Sequence, residues 1–578
     1  VDAAVADEEI VGDVIERTFT VMPHHKAMLI QPYLRKTHIL ARGMAASWRR
    51  IAALKPTRQR FPGIRKLTLL ALLLSTSTAF AQLPTRSFNS ASSLPTLGEN
   101  STVTPAAERR IGDRIAATIY RDSDYIDDPV LVDYVQSIWL PLKAAARARG
   151  ELNAELEERF SWQMFLIRDR SVNAFALPGG YFGVHLGLIS TVSNRDELAA
   201  VLGHELSHVT QRHIARLITQ QSQQAPWMVG AMILGALALS KNSQAGSAAI
   251  VGGQALAAQN QLNFSRDMER EADRVGFGVM LDAGFDSSGV ASMFDKLQQA
   301  SRLNDNGSFP YLRTHPLNTQ RIAEAQSRLQ LIAQNAAPSS AASALETAQA
   351  LVLHAMMASR ARVLADPGVD ALNGMLLEAQ QSLGSDSTRA RGAARLYAGA
   401  LAAGRLRDYA TAQRLAAKLQ TQVIGNPPSM QAVRLLQLEI DTLAGTIQAS
   451  RIDLALAITR ADIMLSSRAL LSLGRGQEVV DRLQTWVAAS PDDALAWQLL
   501  SQAYGLQNQR VRAVRADAEA HVAQLEFGGA LDRLRAAQGL MRSEPSSGDF
   551  IEGSIIDART RQVDLLVKEQ ALQDKIDR

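Results

Sequence analysis

The chain is 578 residues long, 47% hydrophobic and 20% charged, with a formal net charge of +4 and no cysteine. That length admits two to four domains. The absence of thiols excludes disulfides, cysteine nucleophiles and cysteine-ligated zinc, and a small basic excess interspersed with acids forms no tract that would argue for nucleic acid as a partner.

Residues 65–81, RKLTLLALLLSTSTAFA, read as a secretory signal peptide. Arg65 and Lys66 precede the apolar run from Leu67 to Leu74, and Ala79-Phe80-Ala81 supplies the small-x-small cleavage pattern, with Gln82 as the expected mature start. The run is too short for a durable membrane span. Residues 1–43 read as an over-extended start ahead of Met44, with an anchored leader as the alternative. An exported bacterial protein is expected.

Residues 82–106 are rich in Ser, Pro and Thr and read as an exposed lead-in. Helices are predicted over 107–121 and, after the Asp127-Asp128-Pro129 turn, over 130–148. The pattern then shortens to strands: WQMFLIRD at 162–169, and Tyr181–Val184 after a turn at Gly179-Gly180. The strand at 181–184 either offers an edge that holds an extended peptide or belongs to a plain supporting hairpin.

Residues 198–213, LAAVLGHELSHVTQRH, read as a helix carrying His204-Glu205-Leu206-Ser207-His208. Positions i and i+4 share a helix face, so both imidazoles can grip one metal ion while Glu205 takes a proton from water. Leu198, Val201, Leu202 and Val209 wrap the motif in apolar surface. His213 reads as a surface residue or as a partner behind a ligand.

The insert 217–265 carries one formal charge, Lys241, and its run 227–239 is shorter than the ~20 residues needed to cross a bilayer. It reads as a core element, a lid over the site, or a peripheral contact with a membrane or partner. Next comes FSRDMEREADRVG at 264–276, a charged helix. Zinc accepts histidine nitrogen and carboxylate oxygen, so Glu269 and Glu271 both qualify as third ligand. Two residues apart, they diverge by about 200° and only one can face the site. Glu269 and Asp273 share a face, which would let Asp273 orient a ligating histidine. A solvated charged face with Arg266, Arg270 and Arg274 is the plain alternative.

HELSH followed by Glu269-x-x-x-Asp273 resembles the M48 family of zinc metallopeptidases, and so do DDP at 127–129, NAFALPGG at 173–180, GLIS at 187–190 and THPLNTQR at 314–321. The resemblance is strong over roughly 95–332. It implies one zinc held by His204, His208 and Glu269, with Glu205 as general base and acid. His315 would approach the open metal position, either as a fourth ligand in a latent state or as a partner of the tetrahedral intermediate. Arg321 is a candidate oxyanion donor.

From 333 to 578 the pattern is helical, with breaks expected at Pro367, Gly384, Gly425–Pro428, Ser490–Pro491 and Gly528–Gly529. Stretches at 392–419, 469–491 and 491–521 fit paired tetratricopeptide helices, whereas 429–468 fit poorly. The expected fold is mainly α: an α+β zincin-type metallopeptidase domain over 107–332, then a tetratricopeptide-like α-solenoid over 333–578. Family members that combine these parts imply a periplasmic endopeptidase of a Gram-negative bacterium, peripheral to the outer membrane. Its protein substrates would be misfolded or stalled outer-membrane β-barrel proteins, and its partners their assembly machinery. A chaperone or scaffold with minor protease activity is the alternative.

Overall fold

The structure, a computed structural model, describes residues 103–220, 266–302, 309–335, 341–381, 388–449, 457–543 and 550–576, together with 452 and 454. The signal peptide at 65–81, nearly all of the lead-in, most of the insert including 227–239, and the break at Gly384 lie outside the described residues. Among the described residues, no helix is long and apolar enough to cross a membrane.

Helix α1 (Pro105–Tyr120) starts where the Thr104 side chain accepts from Ala107 N and proline takes the first helical position. The short strand β1 (Tyr125–Ile126) leads into α2 (Pro129–Ala148), capped by Asp128, and a single turn of helix, α3 (Ala154–Arg159), follows. The sheet is completed by β2 (Gln163–Ile167), β3 (Ala174–Leu177) and β4 (Tyr181–His185), in the order β1-β2-β4-β3. β2 and β4 run parallel, pairing Gln163 with Tyr181 through Ile167 with His185, and β3 and β4 form an antiparallel hairpin. Its turn demands positive φ at Gly179 (73°) and Gly180 (80°), which suits glycine. The strand expected at 181–184 is therefore paired on both sides and buried at every position, so it offers no edge. On that side of the sheet the edge strand is β3, because the residues before the glycine turn form a strand of their own, and β1 is the other edge.

After α4 (Leu186–Thr191) comes α5 (Arg195–Thr210), which lies against β3 and is buried almost all round. Then follow α6 (His213–Gln220), α7 (Arg266–Asp282), α8 (Ser288–Arg302), the single turn α9 (Tyr311–Thr314) and α10 (Thr319–Asn335). Everything beyond is helical: α11 (Ala341–Ala365), α12 (Val369–Gln380), α13 (Arg389–Arg405), α14 (Tyr409–Gln422), α15 (Pro427–Ala444), α16 (Arg460–Ser472), α17 (Gly476–Ala489), α18 (Ala494–Leu506), α19 (Arg510–Ala523), α20 (Phe527–Ser543) and α21 (Phe550–Ile576). A mixed α+β region thus precedes a long all-helical one, as the sequence predicts.

One tight turn recurs along this array. Arg407, Gly474, Asn508 and Leu525 each adopt positive φ, between 58° and 72°, immediately after the residue that caps the preceding helix. In each case the next amide reaches back to a carbonyl five residues earlier: Asp408 to Ala403, Arg475 to Leu470, Gln509 to Tyr504 and Glu526 to His521. This bond satisfies one of the open carbonyls at a helix end. The break expected at Gly528–Gly529 falls instead at Gln524–Glu526, and both glycines lie within the first turn of α20.

The hydrophobic core runs without interruption from the sheet and α5 into α11, α13 and α15. Two arginines reinforce this junction at the adjacent aspartates of the DDP turn. Arg360, only 1% exposed, donates to Asp128 through Nε (2.8 Å) and a terminal nitrogen (2.6 Å), and to Glu439 at 2.9 Å. Arg460 grips Asp127 at 2.7 and 2.8 Å and Asp493 at 2.8 Å. Burial pushes the Asp128 carboxyl up, but Arg360 and the Leu131 amide hold it below its usual range. Removing one partner of a buried pair leaves the other uncompensated, at about 3–5 kcal/mol. Asp128→Ala also loses the α2 cap and is expected to lower stability by about that amount in denaturant titrations; an unchanged midpoint would contradict the assignment.

Candidate metal centre

The site depends on how closely α5 and α7 cross. A Cβ on Gly276 would stand 2.8 Å from the Gly203 carbonyl carbon and oxygen and 2.9 Å from His204 N. These are backbone atoms that cannot swing aside, so only glycine permits this approach. It brings the acidic face of α7 against the histidine face of α5.

His204, His208, Glu269 and His315 converge there, all buried, and each offers a ligand atom within 4.8 Å of the others. His204 Nε2 lies 3.0 Å from His208 Nε2, 3.4 Å from Glu269 Oε2 and 3.4 Å from His315 Nδ1. Glu269 Oε1 is 3.5 Å from His208 Nε2 and 3.0 Å from His315 Nδ1. Four donors bonded at 2.0–2.1 Å to one tetrahedral ion would stand about 3.3 Å apart, so the donor set and its spacing fit such an ion. The cluster can hold a metal.

The surrounding charges favour a cation. Burial raises the Glu269 carboxyl, yet the charge of His315 and hydrogen bonds from His204 and His315 hold it well below the ordinary range. Burial lowers the His204 imidazole, but Asp273 and Glu269 outweigh it and carry it up to about 10. Burial, reinforced by the neighbouring imidazoles, keeps His208 well below its usual range.

Asp273 lies 3.0 Å from His204 Nδ1, leaving Nε2 aimed into the cluster. Arg321 donates to Asp273 at 2.6 and 2.8 Å and to the Pro316 carbonyl at 2.9 Å, and pairs with Glu269 at 2.8 Å. All three of its guanidinium nitrogens are engaged. Glu205 is 1% exposed, and neither of its oxygens has a well-formed hydrogen bond among the described residues. Its carboxyl is raised, by burial first. His315 Nε2 stands 3.5 Å from it.

One residue of the site was not singled out from sequence, and one left between two readings is placed. Tyr311 stacks on His315 with ring centroids 4.6 Å apart, and burial with the charges of Glu205 and Glu269 drives its hydroxyl well above the usual range. Its place four residues before His315 was the available signal. His213 is fully buried behind His208, which favours the reading as a partner behind a ligand over the surface one. Glu271, the alternative third ligand, turns away from the cluster toward His213 and Arg216.

Substituting Gly276 with alanine is expected to push α5 from α7, costing about 1–3 kcal/mol and reducing metal uptake. Thermal unfolding and elemental analysis would check this; a variant equal to wild type in both would contradict it.

Comparison with known proteins agrees with the geometry. Residues 142–329, which contain every residue of the cluster and the groups that hold it, match the description "Peptidase family M48". The beta-barrel assembly-enhancing protease of Escherichia coli K12 is 28% identical over 503 residues, covering 86% of this chain and 96% of that one. A Vibrio cholerae relative provisionally given the same name is 34% identical over 263 residues, 45% of this chain, and the match spans about half of that protein (51%). The mitochondrial metalloendopeptidase OMA1 of Arabidopsis thaliana is 29% identical over 195 residues, 34% of this chain and 36% of that one. Residues 142–329, which carry the four-donor cluster, are therefore similar to the peptidases of family M48.

Proposed function

We propose that the chain is a zinc-dependent endopeptidase with one zinc held by His204, His208 and Glu269. The observation that carries this reading is Glu205, a buried carboxylate without a well-formed hydrogen bond beside a four-donor cluster. Zinc there would supply a Lewis acid for the scissile carbonyl and make water acidic enough to attack near neutral pH. Glu205 takes the proton from the attacking water and delivers it to the departing amine; burial, which raises its carboxyl, suits both duties. Asp273 fixes the orientation of His204. Arg321 holds Asp273 and Glu269, a positioning role supported by its contacts, beside the oxyanion contact read from sequence.

The proposed setting is the periplasm of a Gram-negative bacterium, supported by the leader read at 65–81. The proposed substrates are misfolded or stalled outer-membrane β-barrel proteins, supported by the relatives named for β-barrel assembly. The helical array, read as tetratricopeptide-like, would present them. A second reading, a scaffold with latent protease activity, draws on His315, whose Nδ1 sits among the ligand atoms where water would otherwise enter.

Glu205→Gln is expected to lower casein cleavage at least about 10²–10⁴-fold while retaining zinc. Cleavage at the wild-type rate would overturn the mechanism.

A further inference from the structure

The helix bearing the two metal-binding histidines ends in an unusual turn. Gln211 caps α5 and Arg212 takes φ of 53°, a left-handed conformation that an arginine adopts only at a cost. Glu108, 1% exposed, accepts from Arg212 at 3.1 and 3.2 Å and holds the turn in place. On an unbroken helix His213 would lie about 140° round the axis from His208. The turn instead folds His213 back, so that its Nδ1 stands 2.8 Å from His208 Nδ1.

The hydrogen order of this contact follows from the metal geometry. His208 presents Nε2 to the cluster, so its Nδ1 carries the proton and donates to His213 Nδ1. His213 is then protonated on Nε2, which donates to Glu271 Oε2 at 3.2 Å. Arg216 donates to the same oxygen at 2.8 Å. The Glu271 carboxylate thus pairs with the Arg216 guanidinium while it accepts from His213. His204 has a carboxylate directly behind it, Asp273; His208 has one at one imidazole's remove.

We propose that His213, anchored by Glu271 and Arg216, is a positioning residue that fixes the orientation and basicity of His208 as a metal ligand. This rests on the zinc-site reading. The divergence of Glu269 and Glu271 on α7 gives one carboxylate to the cluster and the other to the chain of hydrogen bonds behind it. Partners behind ligating histidines typically contribute 10–100-fold in metal affinity.

The test is zinc competition against a chromogenic chelator, using the full purified chain and the variants His213→Ala, His213→Asn and Glu271→Gln. His213→Ala is expected to bind zinc about 10–100-fold more weakly. His213→Asn, whose amide oxygen can stand where Nδ1 did, is expected to recover most of that loss. Circular dichroism of the zinc-saturated variants should match wild type. Should His213→Ala not fold, Glu271→Gln decides: weakened affinity supports the proposal and unchanged affinity overturns it. A wild-type chain that binds one zinc while these variants bind it equally well would overturn this proposal alone, as would a loss in His213→Ala that His213→Asn does not recover. A wild-type chain that takes up no zinc would overturn the site reading and this proposal with it.

Discussion

Everything at the centre of this protein follows from two helices that touch through glycine. Because α5 and α7 meet backbone to backbone at Gly203 and Gly276, side chains as short as histidine and glutamate reach one another across the crossing. A larger residue at either position would move the helices apart, and the close donor spacing would be lost. The concentration of buried polar groups is then balanced locally. Arg321 offsets Glu269 and Asp273, while Arg216 offsets Glu271. The four converging donors can hold one further cation at their centre.

The helical array is joined to this centre by more than a covalent linker. The cores are continuous, and Asp127 and Asp128 each receive an arginine from the array. Tyr134 on α2 contacts His354 on α11 at 2.6 Å, and His354 reaches the carbonyl of Val192, just ahead of α5, at 2.8 Å. The first helices of the array are therefore packed against the elements that flank α5.

The centre was legible in the sequence because its chemistry follows helical spacing. His204 and His208 lie one turn apart, as do Glu269 and Asp273, and their apolar surroundings mark both helices. What sequence missed depends on contacts between distant segments. Whether Tyr181–Val184 was an edge or an interior strand turned on β3, whose four residues, Ala174–Leu177, are too short to show a period. The choice between the two readings of His213 stayed open because a helix reading carries it past His208, and the turn that reverses it is made by an arginine. The breaks at Arg407 and Leu525 escaped notice for the same reason: residues that ordinarily avoid positive φ adopt it there. Breaks marked by proline, as at Pro367 and Pro491, were read correctly.

The central claim is that His204, His208 and Glu269 hold zinc. X-ray absorption at the zinc edge of the purified, zinc-loaded chain tests it most directly. The account predicts a four-coordinate shell near 2.0–2.1 Å with scattering from at least two imidazoles, and loss of one oxygen neighbour in Glu269→Ala. A shell of oxygen neighbours without imidazole scattering would contradict it.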